Sequence, residues 1–291
     1  MSTYRKILVP LDGSALAENA LPFAETLASL FEAELHLLRV NEPLAFGENR
    51  LTAVTEEEVV RYLEQIRARL EARGVRVRWD RAMGSAHEAI QTYVRGCAID
   101  LVAMATHGAG GSTAHGFGSV ALKCLRTLDL PLYLVRSSER ARPDPAAPPR
   151  RPERILVPLD GSELAEEILT RLETLLHRYD AEVRLIRIVP SNTMMRSRHG
   201  GAATDATREA AGYLAKTSQG LQSRGVKTGP PISLHGDPAD EILRAASDLH
   251  ADLVAMCTHG RSGFSRWFFG SVAEKVLAAA RAPMLIVRAR G

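Results

Sequence analysis

A long internal duplication constrains this chain more than any other feature of its sequence. The residues ILVPLDGS occur at 7–14 and again at 155–162. The residues DLVAM, followed by Ala or Cys and then by THG, occur at 100–108 and again at 252–260. The offset between the copies is 148 residues at the Asp of ILVPLDGS and 152 residues further along, so insertions separate them. A period of this size is too long for a solenoid and indicates that a whole domain is duplicated.

The length of 291 residues fits two domains of ordinary size. We predict a first domain at 1–137, a linker at 138–152 and a second domain at 153–291. The linker holds five prolines and several arginines without hydrophobic periodicity, which is typical of a semi-rigid spacer. Its arginines could instead contact nucleic acid or acidic lipid, but a solvated linker is the simpler interpretation.

The overall composition excludes several classes of protein. A net charge of only +3 gives no reason to expect a nucleic-acid partner. No apolar run approaches the ~18 residues of a membrane span, and no apolar signal region precedes the first strand. The three cysteines have no metal-ligand spacing, which suits a reducing compartment. We therefore expect a cytoplasmic protein without a nucleic-acid or membrane partner.

Each half alternates short apolar runs with helical patterns. In the first half we predict strands at 6–12, 34–40, 75–83, 101–104 and 131–136, the third more polar and so nearer an edge; the second half repeats this order. Such alternation indicates an α/β fold, a doubly wound parallel five-stranded sheet with helices on both faces, twice in tandem. Asp12 and the loop after the fourth strand can converge only if the first and fourth strands are neighbours, which gives the order 3-2-1-4-5.

Short local signals place the helix ends. Thr55 and Glu58 form a capping box at the start of one helix. Ser85 is the predicted cap of the next one, and Asp237 takes that position in the second half. Pro22 lies inside the first helix and should kink it.

A glycine-rich loop follows the fourth strand of each half. Nine residues separate Gly108 from Gly118, and nine separate Gly260 from Gly270. Glycines let the backbone approach a ligand, and the free amides at a helix start attract anions. The loops therefore predict phosphate sites, although glycine loops also serve as plain strand-to-helix turns.

Each half resembles a universal stress protein domain. The resemblance is carried by ILVPLDGS, a second strand ending in Arg-Val or Arg-Ile, the loop ATHG or CTHG, then GSVA nine residues later, and a final strand introduced by Pro. It implies an adenine nucleotide alpha hydrolase-like fold. The ATP-binding branch of the family carries the motif G-x2-G-x9-G-[ST]. Its second and third glycines match here, whereas Ala105 and Cys257 replace the first.

The resemblance implies ATP, with Mg²⁺, as the ligand. Asp12 and Asp160 would contact ribose or a metal-bridged phosphate, and would thus meet the metal only indirectly. Val40 and Ile188 would pack on adenine, and the residues of the two Gly-Ser-Val segments would hold phosphates. The predicted nucleotide-binding positions are Pro10, Asp12, Val40, Met104, Ala105, Thr106, His107, Gly108, Gly118, Ser119 and Val120 in the first half, and Pro158, Asp160, Ile188, Met256, Cys257, Thr258, His259, Gly260, Arg261, Ser262, Gly270, Ser271 and Val272 in the second.

The two sites are expected to be unequal. Arg261 gives the second half a cation suited to phosphate, and Ala109 gives the first half no equivalent. Cys257 acts in the opposite direction because a thiol is bulkier than the family's glycine. We weigh the cation more heavily and expect the second site to be the stronger.

The resulting functional prediction is a stress-response protein that binds adenine nucleotide and acts as a regulator or interaction module. We predict no catalytic residues and at most slow ATP hydrolysis. One alternative is an interaction module whose nucleotide sites have decayed. A hydrolase triad from Asp12, His107 and Ser119, or from Asp160, His259 and Ser271, is another, but the chain contains no G-x-S-x-G elbow. A pyrophosphatase-type enzyme of related fold would need S-G-G-x-D-S after the first strand.

The last strand of each half, around 132–135 and 285–287, is short and apolar, and such an edge favours a partner strand. Universal stress protein domains pair through these strands, so the resemblance implies an intramolecular pseudo-dimer. A homodimer of the whole chain is a further possibility.

Overall fold

The structure, a computed structural model, describes residues 4–41, 55–108, 118–136, 151–191, 201–258 and 270–289. The chain divides into two compact units, which are formed by Thr3–Arg151 and Pro152–Gly291. Among the described residues, no helix combines the length and apolarity needed to cross a membrane.

The first unit alternates strands and helices along the chain. Its strands are β1 Lys6–Leu11, β2 Glu34–Asn41, β3 Arg76–Met83, β4 Leu101–Ala105 and β5 Leu132–Val135. Its helices are α1 Ala15–Glu18, α2 Leu21–Phe31, α3 Glu56–Glu71, α4 Ala86–Cys97 and α5 Ser119–Thr127.

The second unit follows the same plan. Its strands are β6 Arg154–Pro158, β7 Glu182–Pro190, β8 Ile232–Gly236, β9 Leu253–Cys257 and β10 Met284–Val287. Its described helices are α6 Glu163–Leu176, α7 Gly201–Ser223, α8 Pro238–Asp248 and α9 Ser271–Ala279.

Strand pairing in each unit confirms the predicted sheet. Parallel pairs give the order β3-β2-β1-β4-β5 in the first unit. The order in the second unit is β8-β7-β6-β9-β10, again from parallel pairs. The polar strand β3 pairs only with β2 among the described strands of its unit, as expected for an edge position. In both units the first and fourth strands are neighbours.

Burial shows that helices cover both faces of each sheet. Ile7, Leu8 and Val9 are consecutive in β1, and all three are 0% exposed. Successive strand residues point to opposite faces, so both faces are covered. All five residues of β4 and all five of β9 are buried as well. The fourth strands thus lie in the core, and only their carboxyl ends reach the site described below.

Pro22 has a larger effect than the predicted kink. The first helix is divided into α1 and α2, and the proline lies in the first turn of α2. Proline is tolerated there because the first amides of a helix have no intrahelical acceptor. The corresponding helix of the second unit, α6, has no proline and runs unbroken over 14 residues.

The other helix starts follow the sequence closely. Thr55 and Glu58 form the predicted capping box, with the Glu58 carboxylate accepting from the Thr55 amide at 2.7 Å. The Asp237 carboxylate accepts from the amides of Ala239 and Asp240 at the start of α8. Ser85 takes the N-cap position of α4, but its side chain makes no capping hydrogen bond.

Candidate functional site

An Asp-Gly-Ser turn leaves the carboxyl end of the first strand in each unit. The Asp12 Oδ1 atom accepts from the Ser14 amide at 2.9 Å and from its hydroxyl at 2.5 Å. Asp160 and Ser162 repeat both bonds, at 2.9 and 2.6 Å. The intervening glycines have φ of 83° and 84°, a conformation that other residues rarely adopt. The turn therefore fixes one oxygen of each carboxylate by local bonds.

In the first unit the glycine loop begins directly against this aspartate. A Cβ placed on Gly108 would lie 1.9 Å from the Asp12 Oδ2 atom. The φ of Gly108 is not positive, so the requirement for glycine is one of space. The structure thereby brings the end of β1 and the end of β4 together at one point, as the sheet order predicts.

The third glycine of each motif closes the loop back onto the strand. The Gly118 amide donates to the Thr106 carbonyl at 2.8 Å, and the Gly270 amide donates to the Thr258 carbonyl at 3.0 Å. A Cβ on these glycines would lie 2.9 and 3.1 Å from the same carbonyl oxygens. This hydrogen bond therefore holds the N-terminus of the following helix at the carboxyl end of the fourth strand.

This closure changes which amides a ligand could use. The amides of Gly118 and Gly270 are already engaged, so neither is a free donor. The next amides, at Ser119 and Val120 and at Ser271 and Val272, are in the first turns of α5 and α9, where no intrahelical acceptor exists. The N-cap residues Gly118 and Gly270 have no side chain that could cap these helices. These amides, and the exposed serine hydroxyls beside them, are donors of the kind that bind anions at helix N-termini.

Ala105 and Cys257, which replace the first motif glycine, cause no backbone strain. Neither has a positive φ, because the positive-φ residues other than glycine among the described ones are Glu32, Ala98 and His250. Both are the last residues of their strands and are buried, at 8% and 6% exposure. The two replacements therefore affect the space available to a ligand and not the path of the chain.

A pocket of about 390 Å³ opens at this point of the second unit. All nine described residues that the sequence predicts for the second site line it: Pro158, Asp160, Ile188, Met256, Cys257, Thr258, Gly270, Ser271 and Val272. The remaining predicted residues of this site, His259, Gly260, Arg261 and Ser262, lie outside the described residues. Pockets of several hundred Å³ are the size that small-molecule ligands occupy.

The pocket also has lining residues that were not among the predicted site residues. Arg187 and Glu209 contribute opposite charges, and Leu159, Val189, Pro190 and Ile242 contribute apolar surface. Arg187 was visible in the sequence as the repeated Arg before Val or Ile at the end of the second strand. Glu209 gave no signal because it lies on α7, whose place over the pocket depends on tertiary packing.

In the first unit the predicted residues lie at the carboxyl ends of three adjacent strands. Pro10 is near the end of β1, Val40 near the end of β2, and Met104 near the end of β4. Val40 is half-buried and Met104 is 5% exposed. This arrangement matches the one that surrounds the pocket in the second unit.

The cysteine in the pocket, Cys257, has a weakly reactive thiol. Burial, followed by the charge of Glu167, raises the pKa of the Cys257 thiol to about 12. The thiol is therefore protonated at neutral pH and is a poor nucleophile. Cys257 takes part in the pocket as a small apolar group.

The described histidine of the loops does not form a catalytic triad. The Nδ1 atom of His107 shares a hydrogen bond with the Thr106 hydroxyl at 3.1 Å, so this nitrogen is not oriented by a carboxylate. Burial, followed by the charge of Arg136, lowers the pKa of His107. The histidine of the alternative second triad, His259, lies outside the described residues. The geometry thus gives a hydrolase no support in the first unit.

Comparison with known proteins agrees with the repeated fold. A model of the universal stress protein family matches residues 3–136 and again 152–288. A universal stress protein of Methanocaldococcus jannaschii is 31% identical over 140 residues, which are 47% of this chain and 82% of that protein. One from Mycobacterium bovis is 27% identical over 196 residues, but this match spans only 62% of its length. One from Mycolicibacterium smegmatis is 26% identical over 311 residues, which cover 98% of this chain and 97% of the relative.

Solved structures share the fold over the whole chain. A universal stress protein from Archaeoglobus fulgidus has a TM-score of 0.70 at 17% identity, covering 99% of this chain and 97% of that one. A Pseudomonas aeruginosa protein has a TM-score of 0.71 at 19% identity, covering 98% and 94%. The two segments that match the family model each contain the repeated sequence motifs. Each of the two units also has the predicted strand order. The chain is a member of the universal stress protein family with two such domains in tandem.

Proposed function

We propose that the protein is a nucleotide-dependent regulator that binds ATP at the carboxyl ends of its strands. The second unit is proposed to hold the stronger site. The observation that carries this proposal is the pocket beside Asp160. One wall of the pocket is a carboxylate held at a strand end, and another is the N-terminus of α9, whose N-cap residue is Gly270. This pairing suits a ligand with hydroxyl groups at one end and phosphates at the other.

The residues present fit an adenine nucleotide. Ile188 and Met256 supply apolar surface for the base, and the amides of Ser271 and Val272 supply donors for phosphate. A Cβ on Gly270 would lie 3.1 Å from the Thr258 carbonyl oxygen, so glycine fits this close approach of the helix start to the end of β9 best. The Asp160 Oδ1 atom accepts hydrogen bonds from the amide and the hydroxyl of Ser162. The Oδ2 atom is proposed to face ribose or a metal-bridged phosphate.

Magnesium is proposed to enter with the nucleotide. Among the described residues, no group of three or more His, Cys, Asp and Glu side chains could hold a metal ion. Mg²⁺ is commonly held by one or two carboxylates together with substrate phosphates and water. Asp160, and Asp12 in the first unit, would supply that carboxylate.

Binding without catalysis is the proposed outcome. Cys257 and His107 do not fit the role of a general base for hydrolysis, and Asp12 and Asp160 are proposed to contact ribose or a metal-bridged phosphate. A weak ATPase and an interaction module without nucleotide remain the rival functions. We also propose a cytoplasmic location, because the three cysteines are free thiols and two of them are buried.

The experiment that tests the proposal is denaturation of the purified protein and identification of released nucleotide by mass spectrometry. Release of adenine nucleotide supports binding. A protein that carries none, and that gives no heat in titrations with ATP, ADP and AMP, would be an interaction module. Production of ADP from ATP that persists after thorough purification would indicate the weak ATPase.

A further inference from the structure

A buried arginine lines the pocket of the second unit and is not among the residues proposed to contact the nucleotide. Arg187 lies on β7, directly before Ile188, and is 7% exposed. A charged side chain is rarely enclosed to this degree without strong partners, because enclosure removes its hydration. The partners of Arg187 therefore indicate what its charge can do.

One partner holds the guanidinium by its face. The Cζ atom of Arg187 lies 5.0 Å from the centre of the Tyr213 ring, a cation–π arrangement. The Tyr213 hydroxyl donates to the Glu166 carboxylate at 2.7 Å, which fixes the ring from its other end. Burial, followed by the bond and charge of Glu166, raises the pKa of Tyr213, so the hydroxyl stays a donor at neutral pH. Tyr213 thus positions Arg187 but cannot neutralise it.

The charge partner is Glu209, and it is a weak one. The Arg187 Nη2 atom lies 3.4 Å from the Glu209 Oε1 atom, and the Glu209 side chain is 72% exposed. An ion pair of this length with one solvent-exposed partner contributes little free energy. Among the residues that the structure describes, this is the one hydrogen bond of the Arg187 guanidinium, which has five donors. An enclosed cation with unused donors therefore faces the pocket, and a solvated carboxylate rests on it.

The first unit repeats the arginine and the tyrosine but not the ion pair. Arg39 and Tyr62 occupy the equivalent positions, and Glu58 is four residues before the tyrosine, as Glu209 is in the second unit. Glu58 caps its own helix by accepting from the amide of Thr55. In the described part of the chain, no carboxylate lies within ion-pair distance of Arg39. The carboxylate over the arginine is thus a property of the second unit.

We propose that Glu209 is an internal competitor for the ligand. Its carboxylate occupies Arg187 until a phosphate of the bound nucleotide displaces it and takes the arginine's free donors. An arginine and a phosphate make stronger, two-point contacts than the single long contact to Glu209. The exchange makes Arg187 a specificity residue for anionic ligands and lets Glu209 set the affinity. This inference rests on the proposed nucleotide site.

The test compares variants of the full chain by hydrogen exchange during titration with ATP or with adenosine. Peptides from α9 and from α5 report the second and the first site separately. Glu209→Gln should tighten ATP binding at the second site by about two- to fivefold, the range that an exposed ion pair can account for. Adenosine, which has no phosphate, should bind Glu209→Gln and wild-type protein equally. Arg187→Gln should weaken ATP binding at the second site. The double variant, which combines Arg187→Gln with Glu209→Gln, should bind ATP no more tightly than Arg187→Gln alone.

Glu58→Gln is the matched control, because glutamine also completes a capping box and Glu58 does not face Arg39. It should leave ATP affinity unchanged at both sites. The inference would be overturned if Glu209→Gln bound ATP no more tightly than wild-type protein, or if its affinity for adenosine rose as much as its affinity for ATP. Either result would leave the proposed nucleotide-binding function standing. If wild-type protein binds no adenine nucleotide, the proposed function fails. Tripolyphosphate then becomes the probe: tighter binding in Glu209→Gln supports the competition, and equal or absent binding refutes it.

Discussion

The glycines of the loops are required for space and not for an unusual backbone. Gly108 lies against the Asp12 carboxylate, and Gly118 and Gly270 lie against strand carbonyls. None of the three has a positive φ. By contrast, the glycine of each Asp-Gly-Ser turn has a φ that other residues rarely adopt. The two kinds of glycine look alike in the sequence and respond differently to substitution.

Gly108→Ala should weaken nucleotide binding in the first unit by about ten- to hundredfold. The added methyl group would lie 1.9 Å from the Asp12 Oδ2 atom. Asp12 cannot move away without breaking its two bonds to Ser14, so the carboxylate loses its contact with the ligand, of roughly 1.5–3 kcal/mol. Titration followed by hydrogen exchange of α5 measures the effect.

Gly96→Ala is the control for that substitution. Gly96 is an exposed residue of α4, and a Cβ there meets nothing within 4 Å. Alanine should stabilise the helix by up to about 1 kcal/mol and should leave nucleotide binding in the first unit unchanged. Equal binding by Gly108→Ala and wild-type protein would show that Asp12 has no part in a nucleotide site.

The thiol of Cys257 should react slowly and become slower still with ligand. Its pKa of about 12 leaves almost no thiolate near pH 8, and its reactivity should rise only as the pH approaches that value. Cys124, whose pKa burial also raises to about 12, should behave in the same way without any response to ATP, while Cys97 is partly exposed. Alkylation followed by peptide mass spectrometry gives the three rates. A Cys257 that ATP does not protect would contradict a nucleotide in this pocket.

Repetition in the sequence identified important residues but not their roles. Asp12 and Asp160 lie at the carboxyl ends of strands, beside the loops. The equally repeated Asp100 and Asp252 lie at the opposite ends, where Asp100 accepts from the amides of Lys6 and Arg5 and Asp252 makes the same contacts in its unit. Only the strand order separates a candidate ligand contact from a structural tie.

At the scale of elements, the sequence predicted the strands and their order almost completely. Short apolar runs, turn residues and capping residues are local signals, and they located the five strands of the first unit to within one or two residues. The division of α1 from α2 exceeded the predicted kink because Pro22 falls in the first turn of a new helix. The wall that α7 adds to the pocket could not be predicted, because it depends on how the helix packs on β7.

Ser162→Ala should destabilise the second unit by about 1 kcal/mol. The Ser162 hydroxyl accepts from the Ala165 amide at the start of α6 and donates to Asp160, and alanine loses both bonds. Chemical denaturation measures the loss in the free energy of unfolding. Ser162→Thr keeps the hydroxyl and should cost much less. Equal stability of Ser162→Ala and wild-type protein would contradict the capping role.

At the scale of the whole molecule, the duplication gives two units of one fold whose candidate ligand sites differ in sequence. The second site is predicted to be the stronger because of Arg261, a residue outside the described part of the chain. Arg261→Ala should weaken ATP binding by about ten- to hundredfold if the cation contacts phosphate in a desolvated site. Cys257→Gly should preserve or tighten it by enlarging the pocket. If Arg261→Ala has no effect and Asp12→Ala removes most binding, the ranking of the two sites is wrong.

Pairing of the two halves through their last strands stays a prediction from the sequence. The apolar strands β5 and β10 are short and stand last in the strand order of their own units, and an apolar edge strand favours association. Separately produced domains, at 1–137 and 153–291, should therefore associate when mixed, and sedimentation velocity would detect the complex. Domains that stay monomeric at high concentration, alone and mixed, would contradict this pairing.

Calorimetric titration of nucleotide-free protein with ATP and Mg²⁺ tests the central claim most directly. Wild-type protein should give saturable heat with at least one site per chain. Gly270→Val should lose the second-unit site, because the Cβ would lie 3.1 Å from the Thr258 carbonyl oxygen and the branched valine side chain should displace the start of α9. Absence of heat with ATP, ADP and AMP in wild-type protein would contradict the account, as would undiminished binding to the second unit in Gly270→Val.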